Sequence, residues 1–98
     1  MPINFRSKLH QALLEHYFLN PRAEYYVRDL SRILSFDVAF LSRELNALTR
    51  AGIFVSSMRN RQKYFRLNHD HPLYNEIKNI TAHVVAKKAT KRGDAFTV

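Results

Sequence analysis

Ninety-eight residues are enough for one domain with a modest core, and too few in most architectures for a core and a deep substrate cavity together. Sixteen lysines and arginines against eight carboxylates leave a net charge of +8, which favours nucleic acid or an anionic surface as a partner, and 46% hydrophobic residues argue against disorder. The absence of cysteine removes disulfides, thiolate zinc sites and cysteine redox switches; with no uncharged apolar run near the ~20 residues of a membrane span and no signal-peptide core, a cytoplasmic protein without membrane contact is expected.

Helical spacing predicts a first helix over about 7–19. Phe5, Leu9, Ala12, Leu13 and His16 share one face, and Leu14 and Phe18 lie opposite. A small surface helix needs only one apolar stripe, so the second predicts contact with another element or another subunit. Asn20-Pro21 ends the helix, because the residue before proline avoids the α region. Glu24-Tyr25-Tyr26 reads as a short extended piece, able to form a third strand beside a hairpin downstream.

A second helix is expected over 27–34, with Leu30, Ile33 and Leu34 facing inward. A very short turn follows, and a third helix is expected over 38–51, with Asp37 as N-cap and Gly52 as the stop. Leu41, Leu45 and Leu48 face the core at i, i+4, i+7, with Val38 beside them. Ala39, Ser42, Arg43, Asn46 and Arg50 cluster on the opposite face, within about 80° of one another. Phe40 reads as a core-edge residue; contact with a thymine methyl is the alternative.

Two β-type runs, 53–57 and 63–67, form a hairpin over about 53–67. Phe65 and Leu67 alternate inward, Tyr64 and Arg66 outward. The tip carries Arg59, Asn60 and Arg61 and lacks glycine, but asparagine tolerates positive φ. Pro72 suits the first position of a final helix over about 72–88. Leu73, Ile77, Ile80 and Val84 form one stripe on it, and Tyr74, Thr81 and Val85 form another beside it. Residues 91–98 read as a flexible basic tail after a domain spanning 1–90.

The fold class that follows is mainly α with a small β-hairpin. Two helices across a short turn are a helix-turn-helix unit, whose second helix enters the DNA major groove, and a basic hairpin directly after it is a wing. The chain resembles the small winged-helix regulators of the ArsR-like class, including those found beside minimal nucleotidyltransferases. The resemblance rests on Tyr26-Val27-Arg28-Asp29-Leu30, Arg43-Glu44-Leu45 with Leu48, Ala51-Gly52-Ile53, Tyr64-Phe65-Arg66-Leu67-Asn68 and His71-Pro72-Leu73-Tyr74. It covers roughly 7–88 and implies a homodimeric DNA-binding transcription factor, with 38–51 as recognition helix, 57–63 as wing, and the first and last helices as dimer interface. Where the family has glycine in the turn before the recognition helix, Ser35 stands here, so a left-handed serine is expected at some cost. The cysteine-based ligand sets of the metal-sensing members are impossible.

The candidate DNA contacts are therefore Arg43, Asn46 and Arg50 to bases, with Ala39 and Ser42 allowing close approach. Arg59, Asn60, Arg61 and Lys63 are candidates for phosphates or the minor groove. Arg28 and Arg32 either touch flanking backbone or pair with Asp29 or Glu44. The candidate dimer residues are Leu14, Phe18, Leu73, Tyr74, Ile77, Ile80, Thr81, Val84 and Val85. His69-Asp70-His71, even with His10, His16 or His83, reads as a helix-start loop capped by Asp70 or His71 rather than a metal site, and His16 as a hydrogen-bonded core histidine. Neither a metal nor a cofactor is expected. No catalytic motif is present: Ala12 stands where a zinc-helix partner of His16 would be, and Gly52 and Gly93 cannot make a phosphate loop. The rival to a DNA-binding regulator is a winged-helix adaptor for an acidic partner protein.

Overall fold

In the computed structural model, which describes the backbone of residues 3–96 and the side chains of residues 3–86, Ser7 sets the first helix. Its hydroxyl accepts the His10 N–H at 3.2 Å and starts α1 (Lys8–Leu19). Leu9, His10, Leu13, Leu14 and Tyr17 are buried. That arc is rotated roughly 80° from the stripe expected over Leu9, Ala12, Leu13 and His16. The core histidine is therefore His10, and His16 is half-buried with its Nε2 2.9 Å from the Tyr25 hydroxyl.

Tyr25–Tyr26 form a strand, β1, as expected, and α2 (Val27–Leu34) follows directly. Leu30 is fully buried and Leu34 packs against the core, but Ile33 is 48% exposed, against the expectation. A short helix buries only the edge that meets its neighbour. Ser35 ends α2 with φ 60° and ψ 45°, the left-handed conformation expected of it. The Ser31 hydroxyl ties the turn by donating to the Phe36 carbonyl at 2.6 Å.

Asp37 Oδ2 accepts the Phe40 N–H at 2.9 Å and caps α3 (Val38–Arg50). Leu41, Leu45 and Leu48 are fully buried, as their spacing predicts. Val38 and Phe40 are not core residues: they are 44% and 37% exposed, because both precede the first turn that reaches the core at Leu41. Gly52, at φ 82°, donates to the Thr49 carbonyl while Ile53 donates to Leu48, which closes the helix and turns the chain into the sheet.

Strands β2 (Phe54–Arg59) and β3 (Gln62–Leu67) pair antiparallel with Arg59 opposite Gln62, so the connection is two residues, Asn60 and Arg61. The strands reach closer to the tip than the expected runs. Both loop residues have positive φ, 49° and 65°. Two such residues make the mirror-image turn whose twist matches the strands. β1 pairs with the other edge of β3, Tyr25 opposite Phe65, giving the order β1-β3-β2. Tyr17 locks α1 to this sheet: its hydroxyl donates to the Phe65 carbonyl at 2.8 Å, and its ring meets Phe54 edge-on at 4.9 Å.

The final helix, α4 (Tyr74–Phe96), begins two residues later than expected, and His71 Nδ1 accepts the Leu73 N–H at 3.0 Å ahead of it. It continues past 88 and through residue 96, into the segment expected to be a flexible tail; residues 97 and 98 lie outside the described residues. The described residues form four helices and a three-stranded antiparallel sheet. α4 packs on α1, and that contact explains the second stripe of each.

Leu14, Ile77 and Thr81 are buried within the chain, so they have no surface left to give to a second copy, against their expected place at a dimer interface. The Thr81 hydroxyl has no hydrogen-bond partner among the described residues. Burying an unsatisfied hydroxyl is costly, so Thr81→Val is expected to raise stability by about 1 kcal/mol. A higher midpoint in urea with an unchanged slope would be the signature.

Candidate nucleic-acid interface

The face of α3 opposite its leucines presents Ala39, Arg43 and Arg50 to solvent, with Ser42 and Asn46 half-buried. The hairpin lies against the same face, where Lys63 Nζ donates to Asn46 Oδ1 at 3.2 Å. Helix and hairpin thus form one continuous surface. The bond also occupies the acceptor that Asn46 would turn toward an adenine amino group, so base contact there requires Lys63 to give way. The Arg43 guanidinium sits 5.6 Å from the centre of the Phe40 ring, one turn earlier.

Arg61 and Asn60 stand exposed at the hairpin tip. Arg59 is placed differently from the expectation. Its guanidinium pairs with Glu24 at 3.0 Å and lies 4.0 Å from the centre of the Tyr64 ring. It anchors the hairpin to the segment before β1. Neither Glu24 nor Tyr64 was expected to act here. Tyr64 becomes legible once the register is known, because it is the diagonal neighbour of Arg59 on the same face.

Arg32 pairs with Asp29, and Arg28 is exposed. Both line a groove of about 480 Å³ with Tyr26, Ser31, Val38 and Gln62, between α2, the start of α3 and the hairpin. Glu44, the other partner considered for these arginines, is taken by His10 at 2.8 Å. His10 Nδ1 accepts the Asn4 N–H, so the proton facing Glu44 is on Nε2.

The acidic groups near this surface are therefore occupied: Glu24 by Arg59, Asp29 by Arg32, Glu44 by His10, and Asp37 by the helix cap. Among the described residues no carboxylate pairs with Arg28, Arg43, Arg50, Arg61 or Lys63. The surface thus combines cations that have no carboxylate partner among the described residues with two, Arg32 and Arg59, that are paired.

Among the described residues no cluster of histidines and carboxylates is arranged to hold a metal ion. His69 bonds the Pro21 carbonyl at 2.7 Å and packs on Tyr74, and His71 caps α4. No helix among them is long and apolar enough to cross a membrane.

The remaining candidate dimer residues lie on the far side, along α1 and α4. Leu73 and Ile80 are exposed, as is the neighbouring Leu19 at 73%. Phe18 and Tyr74 are half-buried against each other, ring centres 5.5 Å apart. Val84 and Val85 are half-buried, and Val85 lines an apolar groove of about 320 Å³ with Phe18, Leu19 and Ala82. Comparison of the chain with protein-family models and with curated proteins finds no match in either.

Proposed function

We propose that the chain is a winged helix-turn-helix regulator of the ArsR-like kind, binding double-stranded DNA as a homodimer. In this reading α3 lies in the major groove, the β2–β3 hairpin is the wing on the phosphate backbone, and Arg28 and Arg32 flank the groove. The observation that carries it is the joined surface of α3 and hairpin. That surface carries Arg43, Arg50, Arg61 and Lys63, none of which has a carboxylate partner among the described residues, while the acidic neighbours are already paired. Phosphates supply most of the affinity of such a surface and base edges supply the specificity. The apolar α1–α4 groove, with Leu19 exposed on its rim, and the exposed Leu73 and Ile80 favour a second copy held through the first and last helices.

The test is titration of labelled DNA from upstream of the protein's own gene, with a scrambled duplex in competition, alongside light scattering for the oligomeric state. Preference for the upstream duplex by a dimer is the expected result. Equal weak binding of both duplexes would remove the regulator reading, and a monomer without aggregation would remove the dimer.

Arg61 offers a sharper check. A left-handed arginine costs about 1 kcal/mol relative to glycine, the residue this turn favours. Arg61→Gly is therefore expected to raise stability by about that amount and to weaken binding to specific and scrambled DNA alike. The log–log salt slope should fall by ~0.9 per lost phosphate contact, hence by about two for a dimer. An unchanged slope would place the tip away from DNA.

A further inference from the structure

Phe40 lies outside the buried core and keeps 37% of its surface exposed in the first turn of α3. Its backbone is fixed, since its N–H is held by the Asp37 cap. The N-terminal residues of a recognition helix are those that meet base edges. Phe40 sits roughly 60° around the helix from Arg43, on the flank away from Asn46. Its ring approaches the Arg43 guanidinium at 5.6 Å, within the range at which an aromatic face attracts a cation.

An arginine fork recognises O6 and N7 of guanine, and an apolar side chain recognises a C5-methyl group. In a pyrimidine–guanine step the C5 substituent of the pyrimidine projects into the major groove beside the guanine edge. A guanidinium bonded to that guanine therefore brings along whatever lies against its flank. Resting on the reading of α3 as the DNA-reading helix, we propose that Phe40 and Arg43 act as one unit that reads a 5-methylpyrimidine followed by guanine, the ring on the methyl group and the fork on the base. The methyl group is that of thymine or of 5-methylcytosine, which share this chemistry. Bound in this way, the ring loses its contact with water, and the arginine arrives already held near its guanine.

The experiment starts from a duplex library randomised over about two helical turns, the span of a dimeric site. Duplexes enriched by the wild-type protein are resynthesised with each thymine replaced singly by uracil, which removes only the C5-methyl group. At the thymine before guanine, this is expected to weaken binding about fourfold per half-site, the worth of one buried methyl group, and about fifteenfold when both half-sites are changed. Replacing that step by cytosine–guanine should produce the same loss, and C5-methylation of the cytosine should recover it. Phe40→Ala should bind thymine and uracil duplexes equally while keeping its guanine preference; Phe40→Leu, which retains an apolar surface, should keep part of the discrimination.

Equal wild-type affinity for thymine and uracil duplexes overturns the proposal, as does full methyl discrimination by Phe40→Ala. A gain with thymine but none with 5-methylcytosine overturns it in favour of a contact to the thymine carbonyl. If no sequence is enriched, the DNA-reading role of α3 falls together with it, a result distinct from enrichment without methyl dependence.

Discussion

Replacing Tyr17 is expected to do more damage to the fold than any single change at the surface. The side chain is fully buried and joins α1 to the sheet through the Phe65 carbonyl and the Phe54 ring. Tyr17→Ala should cost about 3–5 kcal/mol, a large share of the ~5–15 kcal/mol that holds a domain together. Tyr17→Phe keeps the ring and loses one hydrogen bond, so about 0.5–1.5 kcal/mol is expected. The two differ again in alkali. Burial pushes the Tyr17 phenol well above its ordinary value, with Tyr25 and Glu24 adding to the shift. Below pH ~10 the phenol is neutral in folded and unfolded chains alike and adds no pH dependence. Above that value the unfolded chain gives up a proton that the folded chain retains, so stability falls by about 1.4 kcal/mol per pH unit. Urea titrations at neutral pH and in alkali should show this slope in the wild type and its loss in Tyr17→Phe. Equal slopes in the two proteins would mean that the phenol is not held neutral by the fold.

Arg43→Ala should leave the fold nearly untouched and remove much of the binding. The side chain is exposed opposite Leu41, Leu45 and Leu48, so stability should change by no more than about 0.5 kcal/mol. On a specific duplex the loss should be ~1–3 kcal/mol per half-site if the fork grips guanine, and twice that on a palindromic site. On scrambled DNA only a charge is lost, and the effect should be smaller. Asn46→Ala has a second consequence, because it releases Lys63 from its bond at 3.2 Å. A gain in scrambled binding by this variant, alongside a loss on the specific duplex, would separate the two roles. The deciding quantity is the ratio of specific to scrambled affinity. If both variants keep the wild-type ratio, α3 does not read bases, and an acidic partner protein becomes the better candidate for this surface.

The local signals in the sequence were strong where chemistry is local. Asp37, Gly52 and the leucines of α3 depend on residues within a turn or two, and each stands as its neighbours dictate, whereas the left-handed Ser35 follows from the glycine that the resembling family has in that turn. What periodicity could not supply was which side of α1 meets what. The helix is buried by the core and by α4 together, so its apolar residues cover a wide arc, and the expected stripe was displaced from Tyr17 and His10 toward His16. The same blindness assigned Leu14, Ile77 and Thr81 to a second subunit when α1 and α4 bury them against each other. At the candidate site the face of α3 was readable because it is one helix's own geometry. The engagement of Arg59 by Glu24 was not, because it joins residues far apart in the chain.

The left-handed backbone at Arg61 sets two ways of ranking variants against each other. A library of this protein screened for survival on heating, or for yield of folded material, would enrich glycine at position 61 and record the change as an improvement. If the tip meets DNA as proposed, the same library sorted on immobilised duplex would discard it. Thermostabilisation guided by folding alone would then erode the proposed DNA contact at the tip, with no loss of structure to give warning.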